Sequence, residues 1–173
     1  PSFVYYSNYG NLDSEIYLPH VIDNLNRSDI TGVAAAKART LRVLFEFINL
    51  DPQEILELGT DDQNLNEQQI DELAKKKEER TVLLNSASAK LTQEFRQWWK
   101  QGNYVFDLRA DGKFFKIWVS DDIRPEKIAL ESRSTGLQWF LSFYLIFLVE
   151  TQNALKNSIL LLDEAGLSLH PLA

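Results

Sequence analysis

Four consecutive apolar residues, Ile159-Leu160-Leu161-Leu162, run directly into two acids, Asp163 and Glu164. A strand with one face in water alternates apolar and polar residues. An unbroken apolar run of this length reads instead as a strand covered on both faces, the form parallel sheets take. The fold class expected is therefore α/β, with this segment as a core strand of a parallel sheet. A core strand running out into a polar loop would leave the same pattern, so the carboxylates need a second signal before they count as a site.

The rest of the chain reads in the same terms. Phe3 to Tyr6 is a β-branched and aromatic run closed by Ser7-Asn8-Tyr9-Gly10, a strand and turn. Pro19 suits the first turn of a short helix to about Leu25. With Ser28 or Asp29 as N-cap, Ile30, Val33, Ala34, Leu41, Leu44, Phe45 and Ile48 recur at helical spacing, predicting a helix to about Asn49. Asp51-Pro52 begins a further short helix that ends at Gly59. Residues 64–101 contain neither Gly nor Pro, and Leu84, Ala87, Leu91, Phe95 and Trp98 recur at threes and fours, which predicts a long helix. Its middle, Lys75 to Arg80, offers nothing apolar to bury and is expected to project into solvent. It is either the root of a helical arm or the solvated face of an ordinary amphipathic helix. Tyr104 to Arg109 and Phe114 to Val119 flank Asp111-Gly112, a hairpin signature, and Ile128 to Leu130 is a candidate third strand. Ser134 to Gly136 then opens a strongly apolar helix to about Thr151.

Composition bounds the function. No cysteine is present, which excludes disulfide scaffolds, thiolate metal sites and cysteine nucleophiles, and two histidines, His20 and His170, leave little for a histidine metal site. A net charge of −7 disfavours a simple phosphate-backbone binder. The apolar stretch Trp139 to Val149 is interrupted by Ser142 and falls short of the roughly 20 residues that cross a bilayer, so it is expected to be a buried helix with no membrane partner; the lack of cysteine fits the expectation of a cytoplasmic protein. Beginning at Pro1 and lacking methionine, the 173 residues read as a piece of a longer product. Trp98, Trp99 and Trp118 could stack bases, but aromatic residues at core spacing in an acidic chain more often pack.

The second signal is Ser134-Thr135-Gly136-Leu137-Gln138 at the start of the apolar helix. A hydroxyl and a glycine at a helix N-terminus leave backbone N–H groups available, and the macrodipole favours an anion there by about 0.3–1 kcal/mol. Plain N-capping by Ser134 explains the same residues. Beyond it, Asp163 has the chemistry to hold Mg²⁺ and Glu164 to deprotonate a water, as in nucleotide hydrolases.

In this order the two signals, followed by Gly166-Leu167-Ser168-Leu169-His170-Pro171, resemble the C-terminal lobe of an ABC-type ATPase head of the RecF, SMC and OLD kind. The segment Arg133 to Phe143 is similar to the Arg-Ser-x-Gly-x-Gln-Trp-Phe-Leu-Ser-Phe of OLD-like AAA-family ATPases. The close match covers residues 131–173, and Phe3 to Gly10 is similar to the strand and turn that follow the Walker A part. The resemblance implies a partial P-loop NTPase fold with a β-hairpin and a long helical insertion. It implies that Ser134, Gly136 and Gln138 form a signature motif reaching the γ-phosphate of ATP held by a second copy, in a homodimer closed around composite sites. Asp163 would be the Walker B carboxylate at Mg²⁺, Glu164 the general base, Ala165 to Ser168 the D-loop with Ser168 at the composite site, and His170 a structural residue. Arg133 and Thr135 depart from the commoner Leu and Gly of that motif. No Gly-x-x-x-x-Gly-Lys-Ser/Thr occurs in the chain, and Gly10 and Gly32 lack that context, so the chain by itself is not expected to hydrolyse ATP.

The organisation implied is residues 1–60 as strand and helices following the phosphate loop, 61–102 as a helical arm, and 103–173 as hairpin, signature helix and Walker B lobe. A DNA-associated ATPase of repair or phage defence is the leading expectation, with a nuclease domain of TOPRIM type lying beyond Ala173 if present. The competing reading is an inactive head that acts as a scaffold through its arm. A transporter subunit fits less well, since such heads carry a compact helical subdomain where this chain has a long polar helix.

Overall fold

A computed structural model of the chain describes residues 2–7, 10–59, 66–150 and 158–163. The elements are β1 (Ser2–Tyr6), β2 (Glu15–Tyr17), α1 (Leu18–Asn26), α2 (Gly32–Ile48), α3 (Pro52–Glu57), α4 (Glu67–Trp98), β3 (Val105–Asp111), β4 (Phe114–Ser120), β5 (Ile128–Ala129), α5 (Leu130–Arg133), α6 (Thr135–Glu150) and β6 (Ser158–Leu162). The fold is mixed α/β: β1 and β6 form a parallel pair, and β2, β4, β3 and β5 form an antiparallel sheet.

The hairpin forms where the sequence placed it, with Gly112 in the turn at a φ of 53° that an L side chain rarely adopts. β2 and β5 share the other edge of β4, so β4 is the centre of the sheet and its Phe115, Ile117 and Val119 are fully buried. α4 lies along the outer edge of β3. Its Leu84, Ala87, Leu91 and Phe95, spaced by three and four, form the buried stripe of an amphipathic helix.

The same helix closes the edge of the sheet with polar side chains. Ser88 Oγ accepts the Leu108 N–H at 2.8 Å, Thr92 Oγ1 accepts the Phe106 N–H at 2.9 Å, and Arg96 Nε donates to the Tyr104 carbonyl at 2.9 Å. A four-residue step along a helix rises about 6.0 Å and a two-residue step along a strand about 6.8 Å, so positions 88, 92 and 96 stay in step with 108, 106 and 104. An otherwise open row of strand amides and carbonyls is thereby satisfied.

Three local expectations are corrected. Arg80 is buried at 6% exposure: it donates to the Gly112 carbonyl at 2.7 Å, and a Cβ at Gly59 would collide with its guanidinium. The solvated part of α4 is therefore residues 67–79, about 20 Å of helix, started by a capping box of Asn66 and Gln69. α2 begins at Gly32 rather than at an Asp29 cap, because the Asp29 carboxylate is held by Arg27 and Gly32 takes a φ of 61°. The third correction concerns β6. It pairs with β1 in parallel, but Ile159, Leu160, Leu161 and Leu162 are 41, 37, 48 and 38% exposed. Covering on both faces requires layers on both sides, and α6 packs on Val4 and Tyr6 of β1 without burying the side chains of β6.

α6 is apolar all round because it separates two cores. Leu137, Leu141, Tyr144, Leu145 and Leu148 join the main core with α2, α4 and the antiparallel sheet, while Trp139 and Ile146 join Val4 and Tyr6 in a smaller one. No helix among the described residues is long and apolar enough to cross a membrane.

Candidate functional site

Ser134 stands between α5 and α6 in extended conformation. Its Oγ accepts the Leu137 N–H at 3.3 Å and its carbonyl accepts the Gln138 N–H at 3.0 Å, so it caps α6. Capping uses an acceptor lone pair of the hydroxyl and leaves its proton for an incoming oxygen. The N–H groups of Thr135 and Gly136 are in the first turn, where no intrahelical acceptor exists.

Gln138 is spent differently. Its Nε2 donates to the Leu12 carbonyl at 2.7 Å, while Ser142 Oγ accepts the Leu12 N–H at 3.0 Å. Glu131 completes the attachment, accepting from Ser14 N at 3.0 Å and Ser14 Oγ at 2.7 Å. The loop leaving β1 is thus bolted to the head of α6, and Gln138 acts there as a strut. Arg133 is turned inward, its side chain 4% exposed and ion-paired with Asp121. Burial opposes the charge of Asp121, but hydrogen bonds from Arg133 and from the Arg124 and Ile123 N–H groups together hold its carboxyl below the ordinary value. Leu12, Ser14, Asp121 and Glu131 were not singled out from the sequence, and Ser142 was noted only as a break in an apolar run. The signals there are Asp121 followed by a turn, a common Asx pattern, and Ser142 as the one serine within the apolar run.

Asp163 follows β6 at the carboxyl ends of both parallel strands, where open α/β sheets bind ligands. Its N–H donates to the Tyr6 carbonyl at 3.0 Å, and its Oδ2 accepts the Tyr5 hydroxyl at 3.2 Å. Tyr5 is paired in register with Leu161, on the face opposite Val4 and Tyr6, which pack on α6. Tyr6 is held from below: burial raises the pKa of its hydroxyl, which stays protonated and donates to Asn11 Oδ1 at 2.6 Å. The Tyr5 carbonyl accepts Arg39 Nη1 at 2.6 Å, and Arg39 grips Glu150 of α6 through two guanidinium nitrogens.

Ser134 and Asp163 are not joined by any hydrogen bond or ion pair among the described residues. They mark the N-terminus of α6 and the carboxyl end of β6. Glu164, Ser168 and His170 lie outside the described residues. Among the described residues no group of three or more His, Cys, Asp or Glu side chains could hold a metal. Asp163 still suits magnesium, which is commonly held by one or two carboxylates together with water and phosphate oxygens.

Trp99 packs among Phe95, Tyr104 and Phe140, and Trp118 lies under the Arg109 guanidinium, leaving Trp98 as the exposed tryptophan at 45%. His20 sits edge-on to Tyr17. A cleft of about 620 Å³ between α2, α4 and α6 is lined by two acids, Glu46 and Glu94, one base, Lys90, and Trp98. No protein-family model matches the chain, and no similar curated protein or solved structure was found.

Proposed function

We propose that this chain contributes the signature helix and the Walker B strand of an ABC-type ATPase head, a P-loop NTPase whose ATP is shared between two copies in the cytoplasm. The observation that carries the reading is the parallel pairing of β1 with β6, which sets Asp163 at the carboxyl ends of two adjacent strands. Support comes from Ser134, whose hydroxyl proton and neighbouring N–H groups at the head of α6 suit a phosphate oxygen.

In this reading Asp163 holds Mg²⁺ through its carboxylate. What a bound Mg²⁺ supplies is neutralisation of charge on the phosphates. Ser134 and Gly136 bind the γ-phosphate of the ATP carried by the partner, Gln138 holds the β1 loop in place, and Ser168 belongs to the loop connecting the two sites. Glu164 takes a proton from water as the water oxygen attacks the γ-phosphorus, and the bond to the bridging oxygen of ADP breaks. A DNA-associated setting, repair or phage defence, follows from the resemblance of residues 131–173.

The test is Glu164→Gln in the protein that carries the phosphate-binding loop. It should retain ATP binding and accumulate ATP-dependent dimers while turnover falls by 100-fold or more, the order expected for a lost general base. Unchanged turnover would remove Glu164 from the mechanism. One observation favours a second reading, a scaffold without turnover: residues 67–79 of α4 are solvated and Ile70 is 53% exposed. A scaffold would keep its partner binding in Glu164→Gln and lose it when residues 67–79 are shortened by two helical turns.

A further inference from the structure

We propose that Tyr5 is a positioning residue for Asp163: its phenol fixes one carboxylate oxygen so that the other is presented to a divalent cation. The inference rests on the reading of Asp163 as a metal carboxylate.

Register accounts for the contact. Tyr5 opposes Leu161, so Asp163 is the next residue on the same face, a diagonal neighbour within reach of an aromatic side chain. β1 holds Asp163 twice, through the main-chain bond to the Tyr6 carbonyl and through the phenol on Oδ2. Tyr5 is itself held by Arg39, which ties its carbonyl to the Glu150 carboxylate at the end of α6. The carboxylate is thus oriented by a chain of contacts that ends in the main body of the fold.

The choice of side chain also has a chemical consequence. The other outward residues of this face, Phe3, Ile159 and Leu161, are apolar and 66, 41 and 48% exposed. A phenylalanine at position 5 would serve the same packing, so the hydroxyl is the distinguishing group. Its O–H is a neutral donor: it orients a carboxylate without cancelling the negative charge a cation requires, as an arginine or lysine would. Metal-binding carboxylates are commonly held by such a second hydrogen bond.

The experiment titrates the ¹⁵N-labelled chain with Mn²⁺ alone and follows paramagnetic broadening of amide signals. In the wild type, the Leu161, Leu162 and Asp163 amides should broaden first, and Asp163→Asn should abolish this. Tyr5→Phe deletes one oxygen from a side chain that is 49% exposed. It should raise the Mn²⁺ concentration for half-broadening about tenfold, the lower end for a lost supporting contact, while the melting temperature and distant signals stay unchanged. If Asp163→Asn abolishes broadening and Tyr5→Phe titrates like wild type, the positioning role is overturned and Asp163 keeps its assignment. If the wild type shows no broadening at these amides, or Asp163→Asn leaves it intact, the metal reading of Asp163 falls, and the role of Tyr5 with it.

Discussion

The two sheets of this protein solve the same problem in opposite ways. In the antiparallel sheet, α4 covers the outer edge of β3, with Ser88, Thr92 and Arg96 meeting its polar groups one by one. In the parallel pair, Phe3, Tyr5, Ile159 and Leu161 leave an apolar face at 41–66% exposure, and on the opposite face α6 covers Val4 and Tyr6 of β1 while Leu160 and Leu162 of β6 stay exposed. The first sheet is a finished structural unit. The second places an exposed acid, Asp163, beside that open face. Stability is concentrated in one and the candidate chemistry in the other.

The sharpest way to break the comparison is to truncate one phenylalanine in each sheet region. Phe95 is 0% exposed and packs edge-on to Phe106, Phe140 and Tyr144, so Phe95→Ala should cost about 3–5 kcal/mol in equilibrium unfolding by urea. Phe3→Ala, at 66% exposure, should change stability by no more than about 0.5 kcal/mol. A large loss at Phe3 would show that the open face is covered in solution.

A middle-sized effect tests the edge ladder. Thr92→Val keeps the shape but strands the Phe106 amide, at a cost of about 1–3 kcal/mol. Thr92→Ser should recover most of it, and hydrogen exchange at Phe106 should accelerate in the valine variant alone. Equal stability of both variants would mean that water satisfies this edge.

Ser134→Ala should cost about 1 kcal/mol through the lost cap of α6. In the protein carrying the phosphate loop, loss of ATP-dependent dimers beyond that modest destabilisation would separate binding from capping. If dimers survive, Ser134 is a cap alone.

The smallest effect is pH dependence at the junction of β4 and α5. Asp121 has a folded pKa below its unfolded one, so its stabilisation is present above an unfolded value of about 3.9 and is lost as pH falls through the lower folded value. Between pH 5 and pH 2, the unfolding midpoint of wild type should fall further than that of Asp121→Asn. Parallel slopes would show that the Arg133–Asp121 pair contributes nothing that depends on protonation.

Much of the architecture follows from local order along the chain. The hairpin at Asp111-Gly112, the long helix of α4, the apolar α6 and the strands at Phe3 and Ile159 each rest on short-range periodicity or turn chemistry, which neighbouring residues determine. The capping role of Ser134 was equally legible, because a cap involves residues only three apart. What tertiary structure alone decided are the contacts made across long stretches of sequence. The periodicity of α4 showed an apolar stripe but not that Arg80 would turn inward to the Gly112 carbonyl. Gln138 reads as a site residue in its motif, yet its amide holds Leu12, 126 residues away. Asp163 stands out as an acid after an apolar run, while its partner Tyr5 lies 158 residues earlier and meets it only through the parallel register of β1 and β6. The pattern of Ile159 to Leu162 implied burial on both faces, and among the described residues all four side chains stay exposed. Sequence patterns record how apolar a surface is; which surfaces meet, and which polar groups they bring together, depends on how distant elements pack.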